Sequence, residues 1–288
     1  MAALIKRLLV FFIGIPLVTG LVLFLPFRHH LPLNIIVIVF SALGAVEFAA
    51  MLEKKNLRVT KTEAFFLGAA APAALTLTIS LYCPQWIIPL FLMAGAFWVL
   101  LSRVFTSSDR MEAAASQIAA GFSVFVYPGF FMYWLVKMTS LENAGVATFV
   151  FLMIVLGSDA AAWLAGTLFG RNNRGIIPAS PNKSAAGFIG GIAGSIIVSG
   201  GAALIVPAAF AARAEAVPSF LLVTLLGVVT GIAAALGDLA ESAIKRSGGV
   251  KDSGNLMLGR GGVLDTIDSI AVAAPVFYLL YNALFINP

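Results

Sequence analysis

Apolar residues run along this chain in long blocks separated by short polar breaks. A bilayer core about 30 Å thick needs roughly 20 apolar residues in a helix rising 1.5 Å per residue. Nine blocks approach that length, over residues 8–27, 32–52, 64–83, 86–106, 115–137, 145–169, 187–210, 219–240 and 264–286. The eighth continues past its apolar part as a charged helix. No break is long enough for a soluble domain. The predicted class is therefore all-α: a polytopic integral membrane protein of about nine transmembrane helices. Residues 1–143 would carry spans 1 to 5, and residues 144–288 spans 6 to 9 with the polar loops. Pro128-Gly129 falls inside the fifth block and predicts a kink there.

Composition agrees with this reading. Hydrophobic residues make up 60 % of the 288 and charged residues 11 %, against about a quarter charged in a soluble domain. Mean hydropathy is +1.01. The single cysteine, Cys83, allows neither an intrachain disulfide nor a cysteine metal cluster. No small-residue cleavage site follows the first block, which predicts a retained helix.

Basic residues alternate by loop. Lys6, Arg7, Lys54, Lys55, Arg58, Lys61, Arg103, Arg110, Arg171, Arg174, Lys183, Lys245, Arg246, Lys251 and Arg260 occupy alternate segments counted from the N-terminus, and only Arg28, Lys137 and Arg213 occupy the others. The positive-inside rule then places the N-terminus in the cytoplasm and, with an odd number of spans, the C-terminus outside. Positive charge held in loops in this way is not a nucleic-acid patch, and no nucleic-acid partner is expected.

The stretch Leu236–Ile270 stands apart. It holds nine of the chain's charged residues beside two glycine pairs. Asp238, Glu241, Ser242 and Lys245 recur at i, i+3, i+4 and i+7, one face of a helix. Gly248-Gly249 should end that helix. Gly261-Gly262 precedes Asp265, and Asp265 and Asp268 share a face at the start of the last span. Carboxylates bind hard cations, and Lys and Arg bind phosphates. The combination predicts a site for metal-bound phosphate on the cytoplasmic side. Asp238 and Asp265, on antiparallel helix ends, are positioned to meet across a metal.

Other candidates lie upstream. Glu47 sits within the second block, where a carboxylate is a functional candidate; near the cytoplasmic end, it is expected instead to reach the basic loop of Lys54 and Lys55. Asp159 follows Ser158 in the sixth block and precedes the small residues Ala160, Ala161, Ala162 and Gly166, which permit close helix approach. A carboxylate there is expensive unless it faces water or a partner, which favours a site role. The loop Gly170–Gly191 then supplies Arg171, Arg174 and Lys183 with Ser180, Asn182 and Ser184. It opens into a glycine-rich helix start, where backbone N–H groups favour an anion.

These residues resemble a known family. Ser242–Gly254, reading S-A-I-K-R-S-G-G-V-K-D-S-G, and Gly259–Asp268, reading G-R-G-G-V-L-D-T-I-D, are similar to the signature of phosphatidate cytidylyltransferases. Ser180–Gly191, S-P-N-K-S-A-A-G-F-I-G-G, and Ser158-Asp159 resemble two further motifs of that family. The pattern differs at Arg260, where the family usually has His, at Leu258 for Pro, Thr266 for Arg, Ala186 for Glu, Ser158 for Asn and Ser253 for an aromatic residue. The resemblance implies transfer of a cytidylyl group from CTP to phosphatidate, giving CDP-diacylglycerol and pyrophosphate, with Mg²⁺ as cofactor and room for a second cation. Asp238 and Asp265 match the family's metal-binding aspartates. With them, Lys245 and Lys251 form the expected catalytic set. Asp159, Ser180, Lys183, Ser242, Arg246, Asp252, Arg260 and Asp268 are expected to bind substrate. Arg260 is read as a phosphate clamp, always charged where histidine would titrate near about 6.5; pairing with Asp252 or Asp268 is its alternative role. A multi-pass protein of a bacterial-type inner membrane follows, with CTP and phosphatidate as partners and a homodimer compatible with the sequence. Two other readings stay open: a secondary transporter of an organic anion, and a non-catalytic homologue that binds nucleotide or lipid.

Overall fold

The computed structural model describes residues 14–104, 112–211, 219–257 and 261–286. Among these residues every regular element is a helix. In chain order they are α1 (Ile15–Phe24), α2 (Phe27–Glu53), α3 (Lys61–Ser80), α4 (Ile87–Leu101), α5 (Ala114–Met138), α6 (Ala144–Phe169), α7 (Ala185–Ile205), α8 (Phe220–Ser247) and α9 (Leu264–Ile286). Seven of them, all but α1 and α4, are long and apolar enough to cross a bilayer. Among the described residues each predicted block overlaps a helix. A count of nine spans does not follow, because α1 has 10 described residues and α4 has 15, about 22 Å of helix against a core of about 30 Å.

The chain clusters into two compact units. One comprises Met1–Ser140 with Ile244–Ile267, the other Leu141–Ala243 with Asp268–Pro288.

In the first unit α2, α3 and α5 pack through small residues. A Cβ on Gly68 would lie 3.1 Å from the Ala42 backbone, and one on Gly129 would lie 2.9 Å from the Leu67 carbonyl. Lipid gives helices no hydrophobic reason to associate, so close backbone approach and interhelical hydrogen bonds do that work. The kink expected at Pro128 is a π-helical turn, Phe125–Phe130, inside α5. Proline lacks an N–H and crowds the carbonyl a turn earlier, and a wider turn relieves both. Ser41 Oγ lies 2.5 Å from the Pro128 carbonyl and 2.7 Å from that of Gly68, tying the three helices at this point. Farther along, Asn34 reaches Ser80 and Thr139 through its Nδ2 at 3.3 and 3.2 Å. α3 starts on a capping box: Thr60 Oγ1 accepts from the Glu63 N–H, and Glu63 Oε2 accepts from the Thr60 N–H. The same carboxylate takes Arg103 at 3.0 and 3.1 Å.

In the second unit α6 and α7 approach most closely. Gly187, Gly190, Gly191 and Gly194 of α7 face Gly157, Ser158, Ala161, Ala162 and Gly166 of α6; a Cβ on Gly194 would lie 2.9 Å from the Gly157 carbonyl. The small-residue face read from the sequence thus meets a glycine stripe. α8 packs on α7 where Gly227 meets the Ser195 carbonyl, and on α9 where Gly237 meets the Ser269 backbone. Phe151, Phe277, Tyr281, Phe285 and Phe210 form an aromatic column in its interior. Tyr281 Oη donates to the Ala209 carbonyl at 2.6 Å.

Candidate active site

α8 ends where its glycine pair predicts. The Val250 N–H donates to the Lys245 carbonyl (2.9 Å) and the Gly249 N–H to that of Arg246 (3.1 Å), with Gly249 at φ +67°. That is a Schellman ending, which needs a residue in the left-handed region. Residues 248–257 lead away from this helix end, and residues 261–263 lead into the start of α9.

Asp265, in the first turn of α9, is the hub of this loop. Its Oδ1 meets Lys245 Nζ at 2.6 Å. Its Oδ2 accepts from the Ser253 N–H (2.9 Å), the Ser253 hydroxyl (2.9 Å) and the Gly262 N–H (2.7 Å). Both partners of the ion pair have less than a seventh of their side chains exposed. Gly261, at φ +97°, sits where a Cβ would press on Asp265 Oδ2. Thr266 returns its hydroxyl to the Gly262 carbonyl at 3.2 Å.

Glu47 belongs to this arrangement, which corrects its expected place among Lys54 and Lys55. It is buried, and its Oε2 lies 2.9 Å from Ser253 Oγ and accepts from the Leu264 N–H at 2.9 Å. A side chain in the middle of a packed helix finds nearby hydrogen-bond donors before it can extend to a surface loop. Ser253, absent from the expected set, stands between the Glu47 and Asp265 carboxylates. Its one hydroxyl proton serves one of them at a time.

Other predicted residues of the loop point outward. Arg246, Lys251 and Asp252 are exposed, and Arg246 Nη1 donates to the Val250 carbonyl at 3.3 Å. Arg260 and Leu258 lie outside the described residues.

The second unit holds a cavity of about 720 Å³. Asp159, Arg174, Asn182, Lys183, Ser184 and Asp238 line its polar part, and Trp163, Phe188, Ile192, Ile232, Leu236 and Leu239 its apolar part. Lys183 Nζ meets Asp238 Oδ2 at 2.6 Å, and Ser242 Oγ donates to Asp238 Oδ1 at 3.4 Å. About a quarter of the lysine side chain and a third of the aspartate are exposed. The Lys183 ammonium also lies 5.8 Å from the centre of the Phe188 ring. Ser184 caps α7 by accepting the Gly187 N–H at 3.1 Å. Arg174 and Ser184 pair as an isolated β-bridge, which closes the loop into a hairpin at the cavity wall. Ser180 lies in the turn before Lys183 and is not among the residues lining the cavity. Glu241 and Asp268 are buried, and Asp268 Oδ1 accepts the Ser269 N–H.

Asp238 and Asp265 thus belong to different units, and each is paired with a lysine inside its own. Among the described residues no group of three or more His, Cys, Asp or Glu side chains gathers to hold a metal. Mg²⁺ usually takes only one or two protein carboxylates and fills the rest with water and substrate oxygens. Hard oxygens that already attract an ammonium at 2.6 Å fit such a cation.

Helices long and apolar enough to cross a bilayer and packed through glycine, with described charged side chains gathered in a few loops and around a cavity, mark a polytopic membrane protein. A model of the cytidylyltransferase family matches residues 5–284, and the chain belongs to that family. Phosphatidate cytidylyltransferase of Brucella suis biovar 1 (strain 1330) is 38 % identical over 200 residues, 69 % of this chain and 66 % of that protein. The chain therefore spans just under two thirds of that relative's length. The protein of that name from Bacillus subtilis (strain 168) is 32 % identical over 157 residues, 54 % of this chain and 55 % of its own. That of Staphylococcus saprophyticus is 29 % identical over 265 residues, 91 % of this chain and 95 % of its own.

Proposed function

We propose that this protein is a phosphatidate cytidylyltransferase, converting CTP and phosphatidate into CDP-diacylglycerol and pyrophosphate. The observation that carries the proposal is the cavity beside α6, α7 and α8, which joins Asp159, Arg174, Lys183 and Asp238 to a wall of Trp163, Ile192 and Leu236. One substrate of this reaction is a charged nucleotide and the other a phosphate on hydrocarbon chains. A site with both surfaces suits that pair.

In the reaction a phosphate oxygen of phosphatidate forms a bond to the α-phosphorus of CTP, and the bond from that phosphorus to the pyrophosphate oxygen breaks. The attacking phosphate is already ionised, so no strong general base is required. Positioning and charge neutralisation then supply the catalysis. Lys183 and Arg174 bring positive charge to the cavity. Lys245, Arg246, Lys251 and Arg260 bring it to the signature loop. Asp238 and Asp265 are each proposed as ligands for Mg²⁺, through the oxygens that face Lys183 and Lys245. When bound, Mg²⁺ offsets negative charge on the triphosphate. Oδ2 of Asp265, filled by three donors, fixes the carboxylate so that Oδ1 keeps its aim.

The distribution of Lys and Arg supports a bacterial inner-membrane protein with its N-terminus and signature loop in the cytoplasm, where CTP is dissolved. In a chain carrying Cys83→Ser, a cysteine replacing Ser247 should react with a membrane-impermeant reagent only once the inner face is opened; reaction on intact cells would reject that orientation.

The reaction itself is tested with purified protein, CTP labelled in its α-phosphate, phosphatidate and Mg²⁺. Label should move into the lipid extract. Nucleotide binding without transfer would identify a non-catalytic homologue, and vesicle uptake of an organic anion without transfer would identify a transporter.

A further inference from the structure

We infer that Glu47 is a positioning residue for this reaction: it clamps the signature loop at the two points that flank Asp265. The inference rests on the cytidylyltransferase reading for its consequence in turnover, but its geometry stands independently. Glu47 lies on α2, 206 residues before Ser253 and 217 before Leu264. Oε2 lies 2.9 Å from Ser253 Oγ and accepts the Leu264 N–H at 2.9 Å. Leu264 directly precedes Asp265, and Ser253 donates its N–H to Asp265 Oδ2 and holds its hydroxyl 2.9 Å from that same oxygen. The Leu264 amide opens α9, where the first N–H groups have no partner within the helix and a carboxylate is favoured.

The loop is shaped around this carboxylate. A Cβ on Gly254 would collide with Glu47 Oε1, and one on Gly262 with Oε2. Glu47 is only 7 % exposed, and Oε1 has no hydrogen-bond partner among the described residues. Burying a carboxylate is costly unless its oxygens find donors, and the Leu264 N–H supplies one here. The return is a fixed loop: a side chain from a distant helix holds Ser253 and the α9 start at one spacing, which sets where Asp265 aims. Small displacements of a catalytic group carry large rate penalties, so the clamp acts on turnover more than on binding.

The test compares Glu47→Gln, which keeps an oxygen to face the Leu264 N–H and Ser253 Oγ, with Glu47→Leu, which keeps none. Each is made in the full chain carrying Cys83→Ser and a reporter, Asn255→Cys, at an exposed loop position. With Leu, kcat should fall about 10-fold or more while KM for CTP changes less than about 3-fold, and the reporter thiol should react faster. Gln should restore most of both. Should the Leu variant fail to insert, Ser253→Ala removes the hydroxyl that stands between the two carboxylates and should shift kcat and thiol reactivity in the same sense. A parental kcat in the Leu and Ala variants would overturn the inference. So would a fall in kcat with unchanged thiol reactivity. The thiol measurement needs no substrate. If the parent transfers no cytidylyl group, the functional reading fails while the clamp is still judged on the loop.

Discussion

Asp238 and Asp265, the two proposed metal ligands, sit in contrasting surroundings. Asp265 is almost enclosed, with Lys245 on one oxygen and three donors, two of them backbone N–H groups, on the other. Asp238 is a third exposed on a cavity wall, held by Lys183 and a long contact to Ser242. The first carboxylate is built into the backbone, so its removal disturbs structure and chemistry together. The second is held by side chains with room to move, so its role can be removed while the fold stays. A buried ion pair broken on one side leaves an uncompensated charge, whereas an exposed pair contributes little to stability.

The largest expected effect is at Asp265. Asp265→Asn should abolish measurable transfer and lower stability by about 3 kcal/mol, because Lys245 loses its buried partner and an amide is a poor Mg²⁺ ligand. Thermal unfolding in detergent alongside the lipid-labelling assay reads both effects; an unchanged melting temperature would remove the contrast between the two sites. Asp238→Asn should also abolish transfer yet change stability by less than about 1 kcal/mol. If it keeps most of its activity, Asp238 is not a metal ligand.

Lys183→Met should be milder. It removes one cation from the cavity, and apparent affinity for the phosphate-bearing substrates should fall about 10-fold, more steeply at low salt than at high. Equal loss at all ionic strengths would point to packing against Phe188 instead. Ser242→Ala should matter least. Its contact to Asp238 is 3.4 Å long, so stability and kcat should stay within about 0.5 kcal/mol of the parent. A larger loss would show that Ser242 touches substrate.

Much of the fold is legible in the sequence because lipid imposes one strong rule: apolar blocks of spanning length become helices. The Gly248-Gly249 stop and the glycine-to-small-residue packing of α6 on α7 are local signals of the same kind. Span length is less legible: α4 keeps the composition of a span but only 15 residues of helix, since nothing apolar marks where a helix unwinds. The capping box at Thr60 and Glu63 has a readable motif, and it starts α3 three residues before the apolar block does. The site divides in the same way. The signature stretch announces its charged residues, but it does not reveal that Lys245 pairs with Asp265 or that Lys183 pairs with Asp238. Glu47 shows the limit most clearly. An intramembrane carboxylate flags itself, yet its partners lie more than 200 residues away, and periodicity reports only neighbours along one helix.

The proposed attack of the lipid phosphate on the α-phosphorus of CTP can be followed by isotope. Phosphatidate carrying ¹⁸O in its phosphate is incubated with the protein, CTP and Mg²⁺, and both products are weighed by mass spectrometry. Every ¹⁸O atom should be retained in CDP-diacylglycerol and none should appear in pyrophosphate. Heavy oxygen in pyrophosphate, or the absence of a cytidylyl lipid, would contradict the proposed attack.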